Sequence, residues 1–196
     1  MAGAGKLQQL LAEISRCRIC EADLPLGPRP VLRAAAGARL LIVGQAPGTK
    51  VHASGIPWDD PSGDRLRNWL ETDKETFYNR NKIAIIPMGF CYPGRLPKGG
   101  DRPPRPECAP TWHPALLALL PNIELTVLAG AYAQKQFLGP ARGKNLTETV
   151  RAWRDHAPAC MPLPHPSWRT VGWQTRNPWF DQDVLPELRR RVRDLL

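Results

Sequence analysis

Residues 39–48 read Arg39-Leu40-Leu41-Ile42-Val43-Gly44-Gln45-Ala46-Pro47-Gly48, and this stretch decides the fold. Its first half is a short, branched apolar run, which is typical of a strand buried on both faces of a parallel sheet. Its second half is a turn in which glycines let the backbone approach a ligand and proline fixes the direction of the chain. The turn matches neither a dinucleotide nor a P-loop fingerprint. It therefore indicates either an ordinary strand-to-helix turn or a ligand-binding turn at the carboxyl end of a strand.

The rest of the chain alternates apolar runs with segments of helical periodicity. We predict further strands at residues 82–86, 123–128 and 160–163, and helices at residues 6–16, 64–70, 110–120, 131–138, 147–155 and 181–196. Strands that alternate with helices are joined by right-handed crossovers, so the fold class is expected to be α/β, with three αβα layers around a central four-stranded parallel sheet. Because no internal repeat or linker is visible, we expect a single domain over residues 1–196.

The composition favours a polyanionic partner. The 27 lysines and arginines exceed the 18 acidic residues and give a net charge of +9, which suits nucleic acid, although a merely solvated basic surface is the alternative. No apolar run approaches the roughly 20 residues that span a bilayer, and the first residues lack the features of a signal peptide. We therefore expect a cytoplasmic, monomeric protein that binds DNA and no membrane.

A second turn, His165-Pro166-Ser167, follows the fourth predicted strand. A histidine held by a rigid proline can donate a hydrogen bond to a developing anion, although a lone histidine is more often structural. The carboxyl ends of parallel strands meet at one edge of a sheet. The two turns are therefore predicted to meet in one pocket.

Together the two turns resemble the signature motifs of the uracil-DNA glycosylase superfamily. The match is closest to the family 4 type, whose first motif is Gly-Glu-Ala-Pro-Gly and whose second is His-Pro-Ser. Gly55-Ile56-Pro57-Trp58, with Ser62-Gly63 behind it, is similar to the family's Gly-x-Pro-Phe segment, and residues 101–107 are similar to its Asn-Arg-x-Pro-x-Pro-Glu segment. The resemblance covers roughly residues 10–192 and implies a uracil-DNA glycosylase-like fold.

The resemblance implies a DNA glycosylase of base excision repair. Such an enzyme flips a deaminated base, uracil first of all, out of DNA and hydrolyses its N-glycosidic bond, leaving an abasic site. A protein that binds damaged DNA with little or no hydrolytic turnover is the alternative, and a small-molecule or nucleotide hydrolase on the same sheet is a third possibility.

The resemblance also implies roles for individual residues. His165 and Gln45 would be catalytic, with His165 on the leaving base oxygen and Gln45 holding the base and orienting water. The base pocket and the DNA contacts would be formed by a larger set. The base would be bound by Gly44, Ala46, Pro47, Gly48, Trp58, Pro87, Met88 and Ser167, and DNA by Trp168 or Trp173 together with Arg169 and Arg176.

Two parts of the predicted site differ from the family pattern, the first turn and the segment after the second strand. Gln45 replaces the family 4 glutamate, and Ala46 stands where other superfamily members place an aspartate, so the attacking water lacks its usual base. Asp59, Asp60 and His52 are nearby candidates for that task, and a dissociative cleavage would tolerate a weak base. In addition, Pro87-Met88 lies where family members present a base-reading asparagine, so the preference among uracil, hypoxanthine and xanthine stays open.

The cysteines indicate a metal cofactor. Cys17, Cys20 and Cys91 match three ligands of the family's iron-sulfur cluster, while the fourth position falls on Trp112, one helical turn after Cys108. We expect a [4Fe-4S] cluster held by Cys17, Cys20, Cys91 and Cys108, with zinc or unligated thiols as alternatives. Cys160 lies on a predicted strand and is interpreted as a buried apolar residue.

Overall fold

The computed structural model describes residues 2–196. Its sheet contains the strands β1 (Leu40–Val43), β2 (Ile83–Ile85), β3 (Leu125–Ala129) and β4 (Cys160–Leu163), in the spatial order β2-β1-β3-β4. All three neighbouring pairs are parallel. The structure confirms the predicted four-stranded parallel sheet with helices on both faces.

Ten α-helices surround the sheet in the described part of the chain. They are α1 (Ala2–Ser15), α2 (Thr49–Ser54), α3 (Pro61–Leu70), α4 (Lys74–Tyr78), α5 (Cys108–Ala118), α6 (Ala131–Leu138), α7 (Leu146–Arg151), α8 (Trp153–His156), α9 (Thr170–Arg176) and α10 (Leu185–Leu195). The predicted helix at residues 147–155 is divided into α7 and α8, and a π-helical turn, Phe180–Val184, precedes α10. Pro186 lies in the first turn of α10, where its missing amide hydrogen costs nothing.

The two faces of the sheet carry separate apolar cores. Along β1, Leu40 and Ile42 belong to one core and Leu41 and Val43 to the other. In the first core α10 packs against α3, and in the second α1 packs against α5. Because side chains alternate across a strand, a strand covered on both faces must be apolar at every position, which explains the continuous run that the sequence shows.

The register of the strands positions the functional edge. Val43 pairs with Leu128 near the carboxyl ends of β1 and β3, so Gly44 lies beside Ala129 and the turns that follow the two strands leave the sheet at the same edge. Beyond β2, the Met88 amide donates to the Gly44 carbonyl at 2.9 Å, which extends the β1–β2 pairing into the turn. Among residues 2–196, no helix is long and apolar enough to cross a lipid bilayer.

Candidate active site

A cavity of about 470 Å³ opens at the carboxyl edge of the sheet. This volume falls within the range of roughly 300–1,000 Å³ that is usual for small-molecule sites. Its walls come from the turns at Gly44–Gly48 and His165–Ser167, from the segment after α2 and from a hairpin beyond β2. They are formed by Gly44, Gln45, Ala46, Pro47, Gly48, Val51, Trp58, Asp60, Ser62, Pro87, Arg95, Gly99, Gly100, Asp101, His165, Ser167, Trp168 and Arg169. The structure thus brings the two turns together around one cavity.

His165 is fixed by its backbone and by its neighbours. Its carbonyl oxygen accepts hydrogen bonds from the Ser167 amide, at 2.8 Å, and from the Thr170 hydroxyl. Gly130 makes room behind it, because a Cβ at Gly130 would lie 3.3 Å from the Cβ of His165. Burial lowers the pKa of His165 below its usual 6.5, and the charge of Asp60 opposes that shift only in part. The imidazole is therefore neutral at pH 7, with one N–H to donate.

Trp58 forms the wall beside His165. The two ring centroids are 5.5 Å apart with 33° between the planes. Trp58 has a φ of +58°, and its carbonyl oxygen accepts from Arg67 Nη1 and Tyr78 Oη, each at 3.3 Å. Its indole lies against Gly44, where a Cβ would be 2.7 Å from Trp58 Cζ2. A flat aromatic surface held in this way can stack a nucleobase.

Gln45 connects the first turn to the segment that contains Arg102. Its Nε2 donates to the Arg102 carbonyl at 3.1 Å, and its own carbonyl accepts from the Gly89 amide at 2.9 Å. The side chain is uncharged, so the turn supplies hydrogen-bonding groups and no carboxylate to the cavity.

A hairpin over residues 94–102 supplies the wall beside the first turn. The Leu96 amide donates to the Gly100 carbonyl and the Arg102 amide to the Gly94 carbonyl, each at 2.8 Å. These bonds place the side chains of Arg95 and Asp101 on the cavity. Sequence reasoning missed Arg95, because this segment is rich in glycine and proline and has no periodicity. The only sequence signal was the resemblance of the segment that begins at Asp101.

The mouth of the cavity carries an exposed aromatic and a cation. Trp168 is 77% exposed, and the guanidinium carbon of Arg169 lies 5.5 Å from the Trp168 ring centroid. Arg169 also contacts the hairpin, since a Cβ on Gly100 would lie 2.7 Å from Arg169 Nη1. Arg65 donates to the Ser167 carbonyl at 3.3 Å and so supports this loop from α3. An aromatic beside a cation at a rim suits the bases and phosphates of DNA.

Several predicted residues lie elsewhere. Met88 does not line the cavity, because its side chain is 7% exposed and packs into the second apolar core. Arg176 lies at the end of α9, outside the cavity. Trp173 packs edge-on against Phe180 in the first core, with its indole N–H on Thr147 Oγ1 at 2.8 Å. It is therefore a core residue, and Trp168 is the exposed tryptophan of this segment.

Of the three candidates for activating the attacking water, only one lines the cavity. Asp60 lines the cavity and caps α3, where its Oδ1 accepts from the Gly63 amide at 2.8 Å. Asp59 and His52 do not line it.

Four of the five cysteines line a second, smaller cavity. Cys17, Cys20, Cys91 and Cys108 all line it, together with apolar side chains such as Phe90 and Trp112. The Phe90 amide donates to Cys108 Sγ at 3.3 Å. Burial raises the pKa of Cys91 to about 11 and that of Cys108 to about 12, and the neighbouring thiols add to both shifts. Within residues 2–196, no group of three or more His, Cys, Asp or Glu side chains has an arrangement that could hold a metal ion.

A family model ties this geometry to known proteins. The model described as the uracil DNA glycosylase superfamily matches residues 33–189. The matched region contains all four strands, both turns, Trp58 and the hairpin. Enzymes of that superfamily act on DNA, which agrees with the cation and exposed aromatic at the cavity mouth. By the extent of this match and by the architecture of its sheet and cavity, the chain belongs to the uracil DNA glycosylase superfamily.

Proposed function

We propose that this protein is a DNA glycosylase that removes uracil from DNA, of the iron-sulfur family 4 type. The observation that carries the proposal is the neutral imidazole of His165 beside the indole of Trp58, on a cavity large enough for a base. An aromatic platform next to a hydrogen-bond donor is what binding and expelling an extruded base requires.

The chemistry follows from the positions of these groups. The extruded base stacks on Trp58, and the neutral N–H of His165 donates to the base oxygen on which negative charge develops. The turn at Gly44–Gly48 lines the same cavity, and its backbone amides other than that of Pro47 would supply further donors. A donor set in place before the reaction stabilises the departing anion without reorganisation of solvent. The products are a free base and an abasic site.

The proposal is tested by mass spectrometry of free base released from oligonucleotides that each contain one uracil, hypoxanthine or xanthine. We expect uracil to be released, with strand cleavage at the abasic site after alkali treatment. Tight binding to the modified oligonucleotide with no base released would instead identify a damaged-DNA binding protein. The same panel measures base preference, because Pro87-Met88 has no asparagine side chain to bind the edge of the base. The Pro87 carbonyl already accepts a hydrogen bond from His113 Nε2 at 3.0 Å.

The mouth of the cavity predicts how DNA affinity depends on two residues. Trp168→Ala removes a stacking surface worth about 1–3 kcal/mol per base, so we expect DNA affinity to fall by roughly 5- to 150-fold. Arg169→Ala removes one phosphate contact, so the slope of log affinity against log salt concentration should decrease by about one. Both effects are measured by fluorescence anisotropy with a labelled oligonucleotide over a salt titration.

Arg193→Ala is the matched control for this prediction. Arg193 is exposed on α10 and pairs only loosely with Glu71, at 3.8 Å. The variant should bind DNA like the parent protein. If Arg193→Ala weakens binding as much as Arg169→Ala, the cavity mouth is not the DNA contact.

We propose further that Cys17, Cys20, Cys91 and Cys108 hold a [4Fe-4S] cluster. Support comes from the donor set, because four free thiols surround one cavity with apolar walls. The Phe90 amide on Cys108 Sγ is the kind of hydrogen bond that tunes cluster sulfur. When bound, the cluster would join the chain after α1 to the segment after β2 and the start of α5.

The cluster predicts a colour and a metal content. Protein purified without oxygen should be brown, with broad absorbance in the visible blue and about four irons per chain. Cys91→Ser should lose the iron and the absorbance, whereas Cys160→Ser, a change on β4 away from this cavity, should keep both. Colourless protein with one zinc, or with no metal, would contradict the cluster and leave the glycosylase proposal standing.

A further inference from the structure

The cavity contains two carboxylates that the signature turns do not supply. Asp60 and Asp101 both line it, whereas the turn Gly44-Gln45-Ala46-Pro47-Gly48 has none. Asp60 is already engaged, because its Oδ1 caps α3 through the Gly63 amide. Asp101 lies on the hairpin, outside any helix, and its side chain is open to the cavity.

Asp101 is held against the first turn. A Cβ on Gly48 would lie 3.5 Å from Asp101 Oδ2, so the carboxylate packs next to the last residue of that turn. The backbone of Asp101 is bridged to that of Arg95, and Gln45 Nε2 bonds the carbonyl of the next residue, Arg102. The hairpin and the motif turn are thus fastened together, with the carboxylate between them and facing the space that a flipped nucleotide would enter.

Burial makes this carboxylate a better proton acceptor. Partial burial and the charge of Asp60 raise the pKa of Asp101, while the guanidiniums of Arg95 and Arg169 oppose the rise. The charge of Asp101 also contributes to the raised pKa of the Tyr92 phenol, after burial. A carboxylate with a raised pKa is a stronger base than a solvated one and is still ionised at neutral pH.

We propose that Asp101 is the general base of the glycosylase reaction and takes the place of the carboxylate that the first motif lacks. This inference rests on the proposed function. The bond between the base nitrogen and C1′ of deoxyribose breaks, and its electron pair leaves with the base, which His165 stabilises. A water oxygen bonds to C1′ and gives one proton to the Asp101 carboxylate. That proton passes to solvent as the departing base takes up another, so water and nucleotide become free base and abasic site.

The test compares single-turnover base release by the full-length parent protein, Asp101→Asn, Asp60→Asn and Asp155→Asn. Asp101→Asn should slow release by about 10²–10⁴-fold, the usual contribution of general acid–base catalysis, with unchanged DNA affinity and unfolding midpoint. Asp60→Asn keeps a good helix cap, tests the other carboxylate of the cavity and should slow release less than Asp101→Asn does. Asp155→Asn, on α8 and away from the cavity, is the matched surface control and should behave like the parent protein.

A pH profile separates a base from a merely structural carboxylate. For the parent protein, the rate should fall as the pH drops through the raised pKa of Asp101, because the protonated carboxyl no longer accepts a proton. Asp101→Asn should be slow, and this acid limb should be missing.

The outcomes distinguish the two proposals. If the parent protein releases no base, the glycosylase proposal fails and this inference falls with it. If the parent protein is active and Asp101→Asn matches it, or loses only DNA affinity, Asp101 is not the base and the glycosylase proposal stands. Loss of activity in Asp60→Asn alone would assign the role to Asp60 and overturn the inference.

Discussion

Replacement of His165 by alanine is expected to slow base release by about 10²–10³-fold, the usual cost of removing one donor to a developing anion. The histidine is fixed from several sides, by two hydrogen bonds to its carbonyl and by contact with Trp58 and Gly130. Its N–H is therefore in place before the reaction begins. Single-turnover release from a uracil oligonucleotide measures the effect.

The matched control is His156→Ala, a histidine at the end of α8 that does not line the cavity. It should keep the rate of the parent protein. DNA affinity of His165→Ala should be nearly unchanged, because the hydrogen bond strengthens as charge develops on the base. Base release at the parent rate by His165→Ala would remove the anion-stabilising role from this residue.

Because folding lowers the pKa of His165, this residue also makes the stability of the folded protein depend on pH. The unfolded chain binds a proton near pH 6.5, whereas the folded chain resists it, so the neutral ring contributes its stability above that pH. The contribution is lost as the pH falls from the unfolded pKa towards the lower folded one. His165→Ala should therefore show a shallower loss of stability in this acid range, measured by denaturant titrations at several pH values.

The sheet and the meeting of the two turns could be predicted because both follow from one constraint. Leu40 and Ile42 enter one core while Leu41 and Val43 enter the other, so β1 has to be apolar throughout. A strand of that kind belongs to a parallel sheet with covered faces, and parallel strands present their carboxyl ends at one edge. His165 and the Gly44 turn could then be expected on the same cavity without any coordinates.

The hairpin at residues 94–102 could not be predicted, for a physical reason. Its shape depends on backbone hydrogen bonds and on glycines with positive φ at Gly94, Gly99 and Gly100. Neither feature produces a periodic pattern of apolar residues in the sequence. Arg95 and Asp101 reach the cavity only because the hairpin folds back.

Side-chain direction was the other limit of sequence reasoning. Met88 was expected in the base pocket, but its amide pairs with Gly44 and its side chain turns into the core. Trp168 and Trp173 were equivalent in sequence. Helix α9 begins at Thr170, so Trp173 lies on its core-facing side while Trp168 remains in the exposed loop before it. The direction of a side chain beyond the end of a strand depends on the local backbone geometry, which cannot be deduced from the residue type.

Gly63→Ala should destabilise the protein and abolish base release together. A Cβ at Gly63 would lie 1.7 Å from the carbonyl oxygen of Trp58, and backbone cannot yield as a side chain does. The segment that holds Trp58 must therefore move, which would break the bonds that its carbonyl accepts from Arg67 and Tyr78. Overpacking of this kind costs about 1–3 kcal/mol or more, which denaturant titration measures.

Gly44→Ala separates the shape of the site from the stability of the fold. The three atoms nearest to its Cβ would all belong to the ring of Trp58, the closest at 2.7 Å, and a ring can rotate away. We therefore expect base release to fall steeply while the free energy of unfolding changes less than in Gly63→Ala. Gly172→Ala, in α9 with nothing within 4 Å of the added carbon, should be neutral or gain about 0.5–1 kcal/mol. If Gly44→Ala keeps full activity, the indole of Trp58 cannot be the surface on which the base stacks, because that surface would have moved.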